Sequence, residues 1–292
     1  MNWQGITIGT NNEAVEAIAD ILISAGADGV QIEEKAIVYV TAYYENNEHL
    51  ATVVAGIESR IQHLKNIGIN VSPGTVTLQN VSQTDWEDNW KQYYHSQRIT
   101  RHLTVVPSWE TFKPKQTEEK PIIMDPKLAF GTGTHETTRL MMQALESVVR
   151  GGESMIDVGT GSGVLAVAAK QLGVQSVLAT DIDEMSTVIA RENLRLNPIA
   201  NDIKVVMSDL LVNVETEPVD LIVANILADV IERLIPQTIP MLKANGYFLV
   251  SGIYDAIAPH IEEQLTFNGY TIIQKSQMGD WHSYIAQLKG SE

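Results

Sequence analysis

The chain has 292 residues, of which 44% are hydrophobic and 19% charged, and this length and composition indicate a soluble globular protein with two domains. It contains no cysteine, so we exclude disulfides and thiolate chemistry. It also has no apolar run long enough for a transmembrane helix and no Lys or Arg in its first 30 residues, so we expect neither a membrane span nor a signal peptide. We therefore place the protein in the cytoplasm. The net charge of −16 is spread over both halves, so the surface repels nucleic-acid phosphates and attracts basic proteins, although acidic surfaces also serve solubility alone.

The first eighty residues alternate between strand and helix patterns in the order β-α-β-β-α-β. In the first helical pattern, Val15, Ile18 and Leu22 recur at helical spacing. This order is typical of a ferredoxin-like α+β sandwich, so we predict a small domain of that type over residues 1–84. The fold by itself does not indicate a function.

Residues 85–104 carry aromatic side chains at helical spacing, among them Trp86, Trp90 and Tyr94. We predict an interdomain linker helix there and a catalytic domain over residues 105–292. Next to this segment, "HLTVVPSW" and "KPIIMDP" indicate a pair of strands on either side of a charged turn.

From Ser154 onward, strand and helix patterns alternate regularly. Continuous apolar runs such as Leu221–Val223 suit parallel strands that are covered by helices on both faces. Only Gly279-Asp280 separates the last two strand patterns. We therefore predict a hairpin there, with a last strand antiparallel to the rest of the sheet.

The first strand of this region runs into the glycine loop Asp157-Val-Gly159-Thr-Gly161-Ser-Gly163. A dinucleotide fingerprint requires its third glycine one position later, where this chain has Val164. The loop closely resembles the D-x-G-x-G-x-G loop of class I S-adenosylmethionine-dependent methyltransferases, whose cofactor has no phosphate for a helix N-terminus to bind. We therefore predict the class I, Rossmann-like fold: a mostly parallel seven-stranded sheet with an antiparallel last strand.

Two acidic residues follow the next strands. Asp181 ends the second strand, 22 positions after Gly159, where a carboxylate reaches ribose hydroxyls; Asp183 is the second choice. Asp209 ends the third strand pattern, where methyltransferases of this class often contact the adenine amino group. A strand-end cap is the structural alternative for Asp209.

Asn225 ends the fourth strand in "VANILADV", at the carboxyl edge of the sheet. Amino-methyltransferases that act on adenine or glutamine have Asn or Asp there, followed by two prolines and an aromatic ring. This chain keeps the amide but lacks the prolines and the ring, so a flipped base would have no stacking partner. A flexible amine is therefore the favoured acceptor.

Three motifs, "AFGTGTHETT", "DVGTGSGVLAVAAKQLG" and "VANILA", occur in this order behind the small domain. Together they resemble the ribosomal protein L-eleven (L11) methyltransferase family over essentially the whole chain. The resemblance implies methylation of lysine side chains and the N-terminal α-amine of L11 by S-adenosylmethionine, with residues 1–84 recognising this protein substrate. Two departures are Lys127, where the family usually has glycine, and Thr160, where cysteine is common.

The resemblance also implies that Thr138, Gly159, Asp181 and Asn225 belong to the cofactor site. The two glycines of "GTGTHETT" suit a mobile loop that closes over the methionine part of the cofactor, while a helix cap at Thr134 is the structural alternative. The predicted cofactor-binding residues are Phe130, Gly131, Thr132, Thr138, Gly159, Gly161, Gly163, Asp181, Asp209 and Asn225.

Methyl transfer requires a neutral amine, and deprotonating lysine at pH 7 costs about 4.6 kcal/mol. A carboxylate against the amine would raise that cost, whereas the Asn225 oxygen can orient the lone pair without favouring the ammonium. We therefore predict that Asn225 acts by positioning, with no strong base. His135 is the candidate if a base exists, although an orienting role is favoured; His282 is expected to be structural, and no metal is expected.

Several other functions remain open from the residues alone. A methyltransferase of RNA or DNA bases predicts tight, salt-sensitive nucleic-acid binding. A small-molecule amine methyltransferase leaves the first domain without a role. A non-catalytic ribosome-assembly scaffold predicts no turnover, and a dehydrogenase predicts binding of a reduced dinucleotide. We favour the protein methyltransferase, acting as a monomer on L11 without direct contact to nucleic acid.

Overall fold

The computed structural model describes residues 3–11, 14–27, 30–34, 37–45, 50–66, 69–81, 94–125 and 135–290. The chain forms two compact units, Met1–Tyr94 and His95–Glu292. None of the helices in the described ranges is both long enough and apolar enough to cross a bilayer.

The first unit has the predicted β-α-β-β-α-β order. Its elements are β1 Trp3–Thr10, α1 Val15–Ser24, β2 Gln31–Glu34, β3 Val38–Glu45, α2 Leu50–Asn66 and β4 Thr75–Val81. The strands form an antiparallel sheet in the order β2-β3-β1-β4. Alternate residues are fully buried on β1 (Ile6 and Ile8) and on β3 (Val40 and Ala42), and they pack with apolar residues of the two helices. This alternation gives the unit a core of its own.

The second unit begins with a three-stranded sheet formed by β5 Gln97–Arg98, β6 Leu103–Pro107 and β7 Lys120–Met124. Residues 85–93 of the predicted linker helix (85–104) lie outside the described residues, and the described part, residues 94–104, is not helical, so the prediction of a helix is wrong there. Thr100 Oγ1 accepts hydrogen bonds from the backbone N–H groups of His102 and Leu103 and closes a turn between β5 and β6.

The strand pair β6 and β7 exists as predicted, but its strands run parallel and do not form a hairpin around one turn. Residues 108–119 connect them, a length sufficient for the crossover that parallel pairing requires. Glu119 is buried near the end of this connection and accepts hydrogen bonds from Thr104 Oγ1 at 2.5 Å and the Lys115 backbone N–H at 2.6 Å. These bonds hold the connection against β6.

The larger sheet has seven strands in the order β10-β9-β8-β11-β12-β14-β13, and β14 runs antiparallel to both of its neighbours. The predicted antiparallel last strand is therefore present. The strands are β8 Ser154–Val158, β9 Ser176–Asp181, β10 Lys204–Met207, β11 Val219–Asn225, β12 Leu242–Tyr254, β13 Tyr270–Met278 and β14 Trp281–Leu288.

Helices cover both faces of this sheet. Successive residues of β11 alternate between two cores, with Leu221 and Val223 in one and Ile222 and Ala224 in the other. This burial on both sides explains the continuous apolar runs in the sequence. The helices are α3 Glu136–Val148, α4 Val164–Leu172, α5 Glu184–Arg195, α6 Ala228–Thr238 and α7 Ala258–Phe267.

Candidate active site

The glycine loop between β8 and α4 depends on glycine conformations. Gly159, Gly161 and Gly163 have φ angles of 70°, 54° and 83°, a region that disfavours side chains. A Cβ atom on Gly159 would also lie 2.4 Å from Cγ2 of Ile226. The loop therefore passes directly against the residue that follows β11.

Asp181, at the end of β9, organises this loop through its carboxylate. Its Oδ2 accepts a hydrogen bond from Gly161 N at 2.8 Å, and its Oδ1 accepts one from Asp183 N at 3.0 Å. Asp183 has a different task, because its carboxylate caps α5 by accepting from the backbone N–H groups of Met185 and Ser186. The structure thus places Asp181, and not Asp183, against the glycine loop.

Asn225 and Thr138 meet although 87 residues separate them in the chain. Asn225 Nδ2 donates to Thr138 Oγ1 at 3.3 Å, joining the end of β11 to the first turn of α3. Thr138 is fully buried, and Asn225 Oδ1 is a buried acceptor with no hydrogen-bond partner. Leaving such a group without a donor costs about 1–3 kcal/mol, so this oxygen is suited to accept an N–H group from a ligand.

His135 is the N-terminal cap of α3, with extended backbone angles of φ −63° and ψ 147°. Its Nδ1 accepts a hydrogen bond from Thr137 N at 3.3 Å. The neutral ring in this arrangement carries its proton on Nε2, which therefore has no lone pair to accept another proton. His135 is better placed to orient the start of α3 than to act as a base, and it occupies the capping position that the structural alternative assigned to Thr134.

Asp209 lies two residues beyond the end of β10, and its carboxylate is 3.3 Å from Nη2 of Arg233. Both partners of this ion pair are about half exposed. The predicted contact between Asp209 and adenine stays a prediction. Five other residues discussed from the sequence lie outside the described residues, namely Lys127, Phe130, Gly131, Thr132 and Thr134.

Asp157, the first residue of the glycine motif, is buried against the core of the sheet. Burial raises the pKa of its carboxyl to about 7, and the nearby Asp181 carboxylate adds to this rise, while a hydrogen bond from Thr160 opposes it. That bond runs from Thr160 Oγ1 to Asp157 Oδ2 at 2.7 Å, and Asp157 Oδ1 has no partner. Thr160 thus supplies a hydroxyl donor to this acid.

Comparison with known proteins decides the family. The family model described as "Ribosomal protein L11 methyltransferase (PrmA)" matches residues 2–289. The chain belongs to the ribosomal protein L11 methyltransferase family. A ribosomal protein L11 methyltransferase from Leuconostoc citreum is 68% identical over 289 residues, covering 99% of each chain, and one from Enterococcus faecalis is 41% identical over 316 residues, covering 100% of each.

A solved structure supports the same relationship. The ribosomal protein L11 methylase from Lactobacillus delbrueckii subsp. bulgaricus is 42% identical, with a TM-score of 0.64, and the match covers 67% of this chain and 100% of that chain. The predicted family and the predicted methyltransferase-type α/β fold with a small antiparallel domain are therefore confirmed.

Two residues that position the site were not predicted from the sequence. Asn193 on α5 accepts a hydrogen bond from Asp125 N at 2.8 Å and donates to Ser162 O at 2.9 Å. It therefore ties the end of β7 to the glycine loop. The only sequence feature that could have indicated this role of Asn193 is a polar residue on the buried side of a helix.

Gly252 is the second of these residues. A Cβ there would lie 2.0 Å from the carbonyl oxygen of Ile226, and its φ is 93°. Ile226 is thus held between Gly159 and Gly252, which fixes the backbone directly after Asn225. The available sequence signal was a glycine inside a strand pattern, which often marks a bulge, and the β12–β14 register does shift between Ser251 and Ile253.

The carboxyl edge also presents apolar surface. Ile182 and Met207 are 66% and 65% exposed, and Met207 pairs with Asp181 in the parallel register of β9 and β10. Such side chains suit a flat aromatic ligand. Within the described ranges, no three His, Asp or Glu side chains are grouped so that they could hold a metal ion.

Proposed function

We propose that this protein transfers methyl groups from S-adenosylmethionine to amino groups of ribosomal protein L11, namely lysine side chains and the N-terminal α-amine. The observation that carries the proposal is the Asn225–Thr138 contact at the carboxyl edge of the sheet, which leaves the buried Asn225 oxygen without a donor. Family membership and the names of the relatives support the choice of acceptor protein. We further propose a cytoplasmic monomer without direct nucleic-acid contact.

The residues present fit S-adenosylmethionine. The glycine loop carries three glycines with positive φ, so no side chain projects from these positions, and each Asp181 oxygen keeps a lone pair for a ribose hydroxyl beyond its backbone bond. Asp157 and Asn225 each offer a buried oxygen without a partner. When bound, S-adenosylmethionine supplies a methyl group activated by a cationic sulfonium.

The binding roles proposed for individual residues follow from these positions. Asp181 binds the ribose, Ile182 and Met207 flank the adenine ring, and Asp209 is proposed for the adenine amino group. Further contacts are proposed for Phe130, Gly131, Thr132, Thr138, Gly159, Gly161 and Gly163.

Asn225 is proposed to orient the acceptor amine. Lysine has an ordinary pKa of about 10.4, so the reactive neutral amine must form against a cost of about 4.6 kcal/mol at pH 7. An uncharged amide oxygen accepts one N–H and aims the lone pair without stabilising the ammonium. Because His135 Nδ1 already accepts from Thr137, we assign catalysis to positioning and to the local electrostatic field, with no dedicated base.

Residues 1–84 are proposed to recognise L11, with residues 105–292 as the catalytic domain. The first unit has its own buried core and a complete four-stranded sheet. A small-molecule methyltransferase would leave this unit without an assigned role.

Incubation of the full chain with radiolabelled S-adenosylmethionine and a ribosomal extract tests the proposal. We expect label in the L11 protein band, released as N-methylated lysine and N-methylated N-terminal residue after hydrolysis. Label in ribosomal RNA would favour a base methyltransferase, label confined to small amines would favour a metabolic enzyme, and an absence of label would favour a scaffold.

A further inference from the structure

Three aromatic rings form a cluster at the carboxyl end of β12 and the beginning of β14. Tyr254 ends β12 and pairs in register with Trp281, the first residue of β14. Their ring centroids are 5.7 Å apart at an interplanar angle of 81°. The Trp281 ring also meets His135 edge-on, at 5.4 Å and 68°.

This aromatic cluster (His135, Tyr254 and Trp281) lies at the same edge of the sheet as Asn225. His135 caps the helix whose first turn carries Thr138, the hydrogen-bond partner of Asn225. In the parallel register of β11 and β12, Asn225 pairs with Ser251, and Tyr254 lies three residues further along the strand. The cluster therefore extends beyond the residue proposed to hold the acceptor amine.

Carboxylates surround the cluster. The Tyr254 hydroxyl donates to Asp280 Oδ2 at 3.2 Å, and Asp255 Oδ1 lies 2.8 Å from His282 Nε2. The Asp280 charge raises the pKa of Tyr254, so its phenol stays neutral and keeps its donor role. On the other side, a Glu136 oxygen lies 3.6 Å from Nε2 of His135.

Exposure and charge together select the kind of ligand. Tyr254 is 46% exposed, and the side chain of Asp255 is 65% exposed. Aromatic faces attract cations through their quadrupole, and carboxylates at the rim repel anions. An apolar or anionic side chain would gain less here than an ammonium group.

We propose that Trp281 and Tyr254, backed by His135 and rimmed by Asp280, form the subsite that receives the cationic amine of the acceptor lysine before that amine loses its proton to solvent water. The inference rests on the proposed function, because it names the acceptor chemistry of that same site. Methylated lysine keeps its positive charge and binds the same rings, so the subsite also accepts partly methylated side chains.

A kinetic experiment uses the full chain with L11 and labelled S-adenosylmethionine. We expect Trp281→Ala to raise the KM for L11 about tenfold, while Trp281→Phe keeps most of the affinity because it retains an aromatic face. Binding of S-adenosylhomocysteine, measured by calorimetry, stays unchanged in both. Phe267→Ala is the matched control, since Phe267 is 84% exposed at the far end of α7 and should leave KM unchanged.

A binding experiment separates the inference from the proposed function. The indole N–H signal of Trp281, assigned by its loss in Trp281→Phe, should shift on titration with Nα-acetyl-lysine methylamide and with its Nε-trimethyl form. The norleucine amide, which has the same four-carbon side chain without the ammonium group, should leave it in place. A shift without methylation of L11 would remove the proposed acceptor protein but keep the cation subsite. Methylation of L11 without a shift, or an equal shift with norleucine, would overturn the subsite and leave the function standing.

Discussion

The Asn225 amide donates to the hydroxyl of Thr138 across 3.3 Å and leaves its own oxygen without a donor. This single contact fixes the rotation of the amide, so that Nδ2 faces α3 and Oδ1 is kept for another partner. The Asn225 backbone is fixed separately, because Ile226 lies between Gly159 and Gly252 and its N–H donates to Ser251 O. An acceptor amine would thus meet an oxygen that is already oriented.

Removal of the Thr138 hydroxyl should therefore loosen the Asn225 amide. We expect Thr138→Val to lower kcat about tenfold, since a net hydrogen bond of about 1 kcal/mol is lost and the amide can rotate. Thr138→Ser keeps the hydroxyl and should retain most of the rate. Steady-state kinetics on L11 compare the two variants; equal rates for Val and Ser would show that the contact has no role in catalysis.

Asp181 and its neighbour Asp183 provide a matched pair for donor binding. Asp181→Ala removes the acceptor for Gly161 N and the proposed ribose contact, so the Kd for S-adenosylhomocysteine should rise at least about tenfold. Asp183→Ala removes the cap of α5 and should lower the free energy of unfolding by about 1 kcal/mol with little change in Kd. Calorimetry and urea denaturation distinguish them. Unchanged donor binding in Asp181→Ala would refute the assignment.

The backbone beside the site can be tested at two glycines with positive φ. In Gly252→Ala the new methyl group would overlap the Ile226 carbonyl, so Ile226 must shift, and we expect a large loss of turnover together with several degrees of lost Tm. Gly279→Ala has a φ of 57° but no neighbour within 4 Å of the new Cβ, and it should cost only about 1–2 kcal/mol of stability. If both variants keep full turnover, the clamp on Ile226 does not position Asn225.

The α/β architecture could be predicted because each element carries its own local signal. Alternation of apolar residues defined the β-α-β-β-α-β unit, and Gly279-Asp280 marked the final hairpin. The pairing of β6 with β7 could not be predicted in the same way. Two neighbouring strand patterns favour a hairpin, and only the path of residues 108–119 makes their pairing parallel.

Some residues of the candidate site could be predicted from the sequence, and others could not. Asp181 and Asn225 could be named because strand ends of a parallel sheet meet at one edge. The roles of Asn193 and Trp281 depend on residues far away in the sequence, Asp125 and His135, so no local pattern reveals them. The sequence named His135 as a candidate base or orienting residue, whereas its capping bond to Thr137 required the structure.

Asp157 makes stability depend on pH. Burial raises its pKa to about 7 in the folded protein, against about 3.9 in an unfolded chain. Between these values the folded state binds more protons, so the free energy of unfolding falls as pH rises through this window. Urea denaturation at pH 5 and pH 8 should show this fall in the wild-type protein and a smaller one in Asp157→Asn. A wild-type stability no more sensitive to pH than that of the variant would contradict the assignment.

We propose that Asn225 acts on the acceptor amine and not chiefly on the cofactor. The kcat of Asn225→Ala on L11, measured beside its Kd for S-adenosylhomocysteine, tests this assignment. We expect kcat to fall at least about a hundredfold while the Kd changes less than about threefold, because an orienting contact is lost and the donor pocket remains. Equal losses in turnover and donor affinity, or a kcat close to that of the wild-type protein, would contradict it.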